Sequence, residues 1–444
     1  MFSALPSLFP RSIYRALTAA TVFSLLLFYL YVRKPILASD SEYLKNARPS
    51  CDSLKGIDDL FVILRTGASE AHKKLPVHFA TTLRCVPNYA IYSDYEEEIE
   101  GHHVYNALDE INPDIVAENP DFEYYRRLQE GGRQAFTTEE LEQWASAKNT
   151  DAGRDTPGWK LDKWKFLPLA EKALRQRPDA KWYIFIEGDT YMLWQSLLEW
   201  LSHFDPSKPY YLGMQMQIGD IVFAYGGGGI VVSNPALQRV VAHRSENLEA
   251  YDDFTAAHWA GDCVLGKALA DSGTRLLWSF PTVVGDRPGD IDFNSTFGGA
   301  NNRPWCYYAS SYHHIPPAEI PRFARFEYIW NQKNSHRLRH RDVFRYYVLP
   351  RLSSEHDDWD NLSEASQGDV HSFEGCRSTC ENQPDCMQFS FSGDSCKTSA
   401  SLRLGHQASK DTPERTKSGW VTDRIKNYVE RMDATCSHET WTLP

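Results

Sequence analysis

Two carboxylates, Glu187 and Asp189, flank Gly188 at the point where the apolar run Trp182-Tyr183-Ile184-Phe185-Ile186 ends. Such a run has the composition of a strand buried on both faces. Open α/β sheets bind ligands just beyond the carboxyl ends of these strands. Two acids at i and i+2 there ionise together only at high cost, unless a positive charge such as a divalent cation on oxygen ligands offsets them. Gly188 leaves the backbone free to turn between them. The competing reading is a turn with two solvated acids, which an isolated E-x-D allows equally well. Three further stretches carry chemistry. Tyr225-Gly226-Gly227-Gly228-Gly229 permits close backbone approach, with Gly227 and Gly228 at its centre, or is a plain flexible turn; it lacks the Lys-Ser/Thr of a phosphate-cradling loop. Asp262 precedes the helical Cys263-Val264-Leu265-Gly266-Lys267-Ala268-Leu269, where its local reading is a helix N-cap. His313-His314 offers imidazoles, which suit a transition metal beside a carboxylate but also serve as polar filler.

The elements that must position these residues follow an α/β pattern. Asp59-Leu60-Phe61-Val62-Ile63-Leu64 reads as a strand ending in Arg65-Thr66-Gly67, and Tyr89-Ala90-Ile91-Tyr92 as a second ending in Ser93-Asp94. Residues 69–79 between them form the expected crossover helix, so a parallel sheet is predicted. Residues 96–153 are acidic and poorly periodic and read as surface helices and loops. Residues 159–177 are helical and lead into the 182–186 strand; Leu193, Leu197, Leu198 and Leu201 follow it at helical spacing.

Composition bounds the partners. The 444 residues allow two or three domains, and 13 Trp, 23 Tyr and 22 Phe supply a large core and surfaces for stacking on sugars or bases. A net charge of −12 without a basic stripe excludes nucleic acid as a partner. Residues 16–32 are uncharged and rich in Leu, Phe and Tyr, and Arg33-Lys34-Pro35 follows directly in place of a cleavage site. A single membrane helix is expected there, with residues 1–15 cytosolic and 33–56 a polar stem. The sequons Asn294-Ser295-Thr296 and Asn361-Leu362-Ser363, with cysteines clustered on the same side, put the remainder in an oxidising lumen.

Taken in order, these motifs resemble the fringe / core 1 β1,3-galactosyltransferase family of glycosyltransferases. The strand followed by Arg65-Thr66-Gly67, Ile91-Tyr92-Ser93-Asp94, Glu187-Gly188-Asp189-Thr190-Tyr191-Met192, the glycine run, Gly261-Asp262-Cys263 and Ser311-Tyr312-His313 carry the likeness, which covers residues 57–320. The family's D-D-D-T-Y-V is here E-G-D-T-Y-M, so only the third acid matches outright. The resemblance implies a GT-A fold, a Rossmann-like α/β sandwich spanning residues 57–350, binding a UDP-sugar through Mn²⁺ or another divalent cation. It implies Arg65, Thr66 and Asp94 near uridine, Lys165 at a phosphate, Glu187 at the ribose or sugar, Gly227 and Gly228 close to the sugar, Asp189 and His313 on the metal, and Asp262 as the base. The implied setting is a single-pass Golgi membrane protein acting on a glycan or glycoprotein acceptor. The expected further cysteine pairs are Cys263 with Cys306 and Cys51 with Cys85.

Residues 351–370 are polar and acidic and read as a linker. Cys376-x₃-Cys380-x₅-Cys386-x₉-Cys396 then encloses the strand-like Met387-Gln388-Phe389-Ser390-Phe391. Cysteines at i and i+4 share a helix face and can bridge to neighbouring strands. Residues 371–440 resemble a PAN/apple module, a small disulfide-stapled α+β unit; in it the spacing pairs Cys376 with Cys396 and Cys380 with Cys386, leaving Cys436 over. Zinc is the competing reading, weakened by the lack of a second C-x₂-C. Two functions follow: an inverting, metal-dependent hexosyltransferase, with galactose or an N-acetylhexosamine as the expected sugar and a β1,3 linkage, or a catalytically inactive lumenal carbohydrate-binding protein or scaffold, suggested by the altered triplet.

Overall fold

The computed structural model describes residues 51–146, 156–299, 302–408, 415–436 and 440–443. The expected cytosolic tail, membrane span and most of the stem lie outside them, and no helix among the described residues is long and apolar enough to cross a membrane.

The first strands are β1 (Leu60–Arg65), β2 (Tyr89–Ser93), β3 (Glu97–Ile99), β4 (His102–Asn106), β5 (Trp182–Glu187) and β6 (Tyr191–Met192). They are followed by β7 (Tyr211–Gly213), β8 (Gln215–Ile218), β9 (Ile221–Ala224), β10 (Ile230–Ser233), β11 (Leu276–Trp278) and β12 (Ser311–Tyr312). Eight of these form one sheet in the order β11-β7-β10-β5-β1-β2-β4-β3. The predicted parallel pairing holds at its centre, where β5, β1, β2 and β4 run in one direction. The flanks make the sheet mixed, with β10 antiparallel to β5 and β7, and β3 antiparallel to β4. The β3–β4 hairpin corrects the reading of 96–153 as helices and loops alone. Its turn is Glu100-Gly101, with φ of 50° and 80°, the doubly left-handed geometry that matches strand twist in two-residue hairpins.

Alternation along β1 and β5 divides the core. Phe61, Ile63, Tyr183 and Phe185 face the helices Phe166–Gln176, Asn234–Ser245 and Gly261–Asp271. Val62, Leu64, Ile184 and Ile186 face Ala71 of the helix Ala68–Lys74 and Leu197 of the helix Trp194–Leu201. The result is a helix–sheet–helix sandwich with β5 and β1 covered on both sides, as their unbroken apolar composition requires.

The C-terminal strands are β13 (Glu355–Asp357), β14 (Trp359–Asp360), β15 (Ala365–Gln367), β16 (Gln388–Ser392), β17 (Ser395–Ser399), β18 (His406–Gln407) and β19 (Thr416–Trp420). Five form a sheet in the order β13-β19-β16-β17-β15, so the stretch expected as a linker supplies two of its strands. Cys376–Cys396 and Cys380–Cys386 tie the helix Phe373–Asn382 to it, and Cys51–Cys85 also forms as expected. The expected Cys263–Cys306 pair does not form. Cys306 bonds Cys436, and Cys263 is a buried free thiol packed with Phe223 and Ala260. The two lie in different cores: Cys306 belongs to a third one that draws Trp305 and Phe344 together with Trp420, Tyr428 and Met432. Residues Ser50–Pro444 accordingly form a single compact unit. One sequon also loses its expected role. Asn361 is fully buried and its amide donates to the carbonyls of Phe389 and Gly419, leaving no space for a glycan.

Candidate active site

Strand register builds the site. Arg65 pairs with Glu187 across β1 and β5, so both emerge together at the carboxyl edge of the sheet. One turn later β6 runs antiparallel to β12, with Tyr191 opposite Tyr312 and Met192 opposite Ser311. That short ladder carries Asp189 to His313 although 124 residues separate them, and His313 Nε2 lies 3.0 Å from Asp189 Oδ1. The amide of Ile315 donates to the carbonyl of Asp189, closing the other side.

The glycine turn binds the parts together. Thr190 Oγ1 donates to the carbonyl of Gly227 at 2.8 Å, Ser311 Oγ donates to that of Gly228 at 2.6 Å, and the amide of Gly226 donates to Asp262 Oδ2 at 2.9 Å. Gly227 is required by contact: a Cβ there would lie 2.0 Å from His313 Cε1.

Asp189, His313 and His314 each offer a ligand atom, all within 4.8 Å of one another. One carboxylate and two imidazoles suit a divalent transition metal. Two further observations fit a cation here. His313 Nδ1 is buried without a hydrogen-bond partner. Burial, aided by the neighbouring His313, pushes His314 down to about 3, so its ring is neutral and has a lone pair to offer. His313 behaves oppositely. Burial would lower it, but the carboxylates of Asp189 and Glu187 outweigh that and raise it to about 9. His314 was the neglected half of the histidine doublet, and its φ of 55° is the backbone feature that turns it into the site.

Lys74 enters the cluster unannounced by any motif. Its ammonium donates to Asp189 Oδ2 at 3.2 Å and lies 2.8 Å from Glu70. The stem crosses Gly188 so closely that a Cβ on that residue would meet Lys74 Cβ and Cδ at 3.1 Å. The missing middle acid and the presence of Lys74 are therefore one feature. Asp189 stays ionised well below the usual carboxylate range: burial opposes this, but Lys74 and His313 prevail.

A cleft of about 490 Å³ opens in front of this cluster, reached by Glu187 and His313 on one side and Asp262 on the other. Arg65, Thr66 and Gly67 line it. Arg65 is held by ion pairs to Glu187 and Asp162 and lies over the Phe166 ring. Asp94 and Lys165 form a fully buried pair at 3.1 Å behind that turn. Lys165 also donates to the carbonyl of Thr66, and Asp94 accepts from the amide of Ala68. This pair fixes the Arg65-Thr66-Gly67 turn, and the Lys165 ammonium is already engaged there.

Asp262 is not the N-cap that local sequence suggested, since Ala260 holds that position in the helix Gly261–Asp271. Its two oxygens accept from the amides of Cys263 and Gly226. Burial outweighs these bonds and raises its carboxyl to about 6, a value matched to a general base working near neutrality. Residues 164–277, a stretch of 114 of the 444 that carries Lys165, Glu187, Asp189, the glycine turn and Asp262, match the family model described as Fringe-like. That likeness indicates glycosyltransferase chemistry in this part of the chain.

Proposed function

We propose that this protein is an inverting, divalent-cation-dependent glycosyltransferase of GT-A type that moves a hexose from a UDP-sugar to a hydroxyl of a glycan or glycoprotein. The observation that carries the reading is the β6–β12 ladder, which sets Asp189 against His313 and His314 at one side of a cleft whose other side holds Asp262. Asp189, His313 and His314 are the residues that would hold the cation, which when bound offsets charge on a leaving diphosphate. Asp262 takes the proton of the acceptor hydroxyl as its oxygen bonds to C1 of the sugar. The C1–oxygen bond to the diphosphate breaks and its electron pair leaves with UDP. Arg65, clamped between two carboxylates, keeps Glu187 in place, and Thr66 and Gly67 present the turn for the nucleotide.

A donor screen tests this. UDP-Gal, UDP-Glc, UDP-GlcNAc and UDP-GalNAc are added with and without Mn²⁺, and the melting temperature is followed. One donor should stabilise the fold by mass action only when Mn²⁺ is present; no stabilisation by any of them, or by UDP, defeats the reading. The alternative, a non-catalytic carbohydrate-binding protein, draws on Gly188 and on the grip of Lys74 on Asp189. Slow Mn²⁺-dependent hydrolysis of a bound UDP-sugar separates the two. The reading places the protein in the Golgi membrane as a single-pass type II protein. Protease added to sealed vesicles should then spare nearly the whole chain, and digestion of the C-terminal part reverses the orientation.

A further inference from the structure

A column of flat rings runs out of the cleft beside Asp262. Phe254 and His258 stack with centroids 5.3 Å apart, His258 and Trp259 at 6.2 Å, and Trp259 and Trp159 at 6.4 Å, with interplanar angles of 25°, 10° and 23°. Trp259 and Trp159 both line the cleft, and Trp259, three residues before Asp262, is 48 % exposed. Met216, on the β8–β9 hairpin that forms the facing wall, is 43 % exposed. Single exposed apolar residues are ordinary, but a contiguous aromatic patch at a cleft mouth marks a binding surface. The helix Leu248–Ala257 and the stacking hold these rings nearly parallel in the absence of any ligand, so little order is lost when one arrives.

We propose that Trp259 and Trp159 form the subsite for a pyranose ring of the acceptor, so that the protein extends an existing sugar and not an unglycosylated serine or threonine. The inference rests on the reading of Asp262 as the base and deepens it. An indole face carries negative potential and attracts the partly positive C–H groups on the apolar face of a pyranose. A ring lying on that ledge keeps its hydroxyls at the edges, one set toward Gln217 of the cleft wall and the other toward Asp262. A peptide side chain offers no such plate.

The test uses the complete lumenal chain with four methyl β-glycosides (galactose, glucose, N-acetylglucosamine, N-acetylgalactosamine) and an unglycosylated Ser/Thr peptide. Binding is read by tryptophan fluorescence and saturation-transfer NMR, and UDP affinity is measured in parallel with Mn²⁺. At least one glycoside should bind, with C–H protons of one ring face receiving the strongest transfer. Trp259→Ala should weaken it about tenfold, the scale of one aromatic stack, and Trp259→Phe should restore most of the loss. A merely structural role would not distinguish Phe from Ala in this way, because half the indole is in solvent. Binding of the bare peptide with no glycoside bound, or glycoside binding indifferent to Trp259→Ala, overturns the subsite. UDP binding that persists while the glycosides fail sinks the ledge and spares the transferase. Loss of UDP binding with the glycosides still held does the reverse.

Discussion

Asp189 and Asp262 flank one cleft, yet their surroundings drive them apart. Asp189 has Lys74 and His313 at hydrogen-bond distance and stays ionised; Asp262 has only backbone amides within that range and is raised to about 6. Such divergence assigns roles: the charge-stabilised acid holds a cation, the less stabilised one accepts a proton. Asp262→Asn should therefore lower kcat by roughly 10²–10⁴ while UDP still binds. The unmodified chain should lose turnover as pH falls through about 6, because a base must be deprotonated, and near-normal turnover of Asp262→Asn would direct attention to Asp286. This variant is not the silent cap replacement that local sequence implied, since an amide offers one oxygen where two N–H groups now donate. Lys74 yields a second prediction. Lys74→Met leaves Asp189 and Glu70 buried with nothing positive between them, and breaking such a pair costs about 3–5 kcal/mol. The melting temperature should drop, and Mn²⁺ should recover more of it than it adds to the unmodified chain. An equal or smaller gain means that Lys74 does not compete with the cation.

At the scale of elements, the glycine turn and the β6–β12 ladder hold the site, and they were legible to different degrees. The turn stands out as four consecutive glycines, and β5 as five consecutive apolar residues, because local composition alone imposes both. The ladder is two residues on each side, too short to have a period, and its partners are remote in sequence; only the order of the motifs hinted that His313 would meet Asp189. Lys74 was invisible for a related reason. It is an ordinary i,i+4 partner of Glu70 on a helix, and nothing local reveals that its stem lies across Gly188. The β3–β4 hairpin was missed although Glu100-Gly101 occupies a two-residue turn, since acidic neighbours hid the alternation. The turn carries its own prediction. Gly227→Ala forces a methyl group into the His313 ring, and overpacking of this kind costs about 1–3 kcal/mol. Any Mn²⁺-dependent rise in melting temperature should disappear with it, whereas Gly219→Ala, on the open β8–β9 turn where a Cβ meets nothing within 4 Å, should keep that rise. Retention of the full rise by Gly227→Ala would mean that His313 does not hold the cation.

At the scale of the molecule, the C-terminal unit is built into the same core as the site. Tyr191, just after the acid triplet, belongs to the apolar cluster that also holds Trp420, Tyr428 and Met432. Trp441 stacks on Tyr308 with centroids 4.6 Å apart, and the carbonyl of Thr442 accepts from Trp200 Nε1 at 2.7 Å, so the tail returns to the helix that follows the triplet. Cys306–Cys436 closes a separation of 130 residues, a link worth on the order of 5 kcal/mol in the chain-entropy account. The polar composition of 351–370 suggested two domains that could be parted there, because a linker and a short edge strand look alike in sequence. A chain ending at residue 350 should therefore expose Trp305 and Phe344 and aggregate, while the complete lumenal chain should melt in one transition with nucleotide binding lost at the same temperature. Cys436→Ser, which keeps every apolar contact, should lower that temperature without splitting the transition. Two separate transitions in the complete chain, or a soluble 57–350 fragment melting cooperatively within about 5 °C of it, would mean that the two parts merely touch, and that the aromatic cluster between them is an interface and not a core.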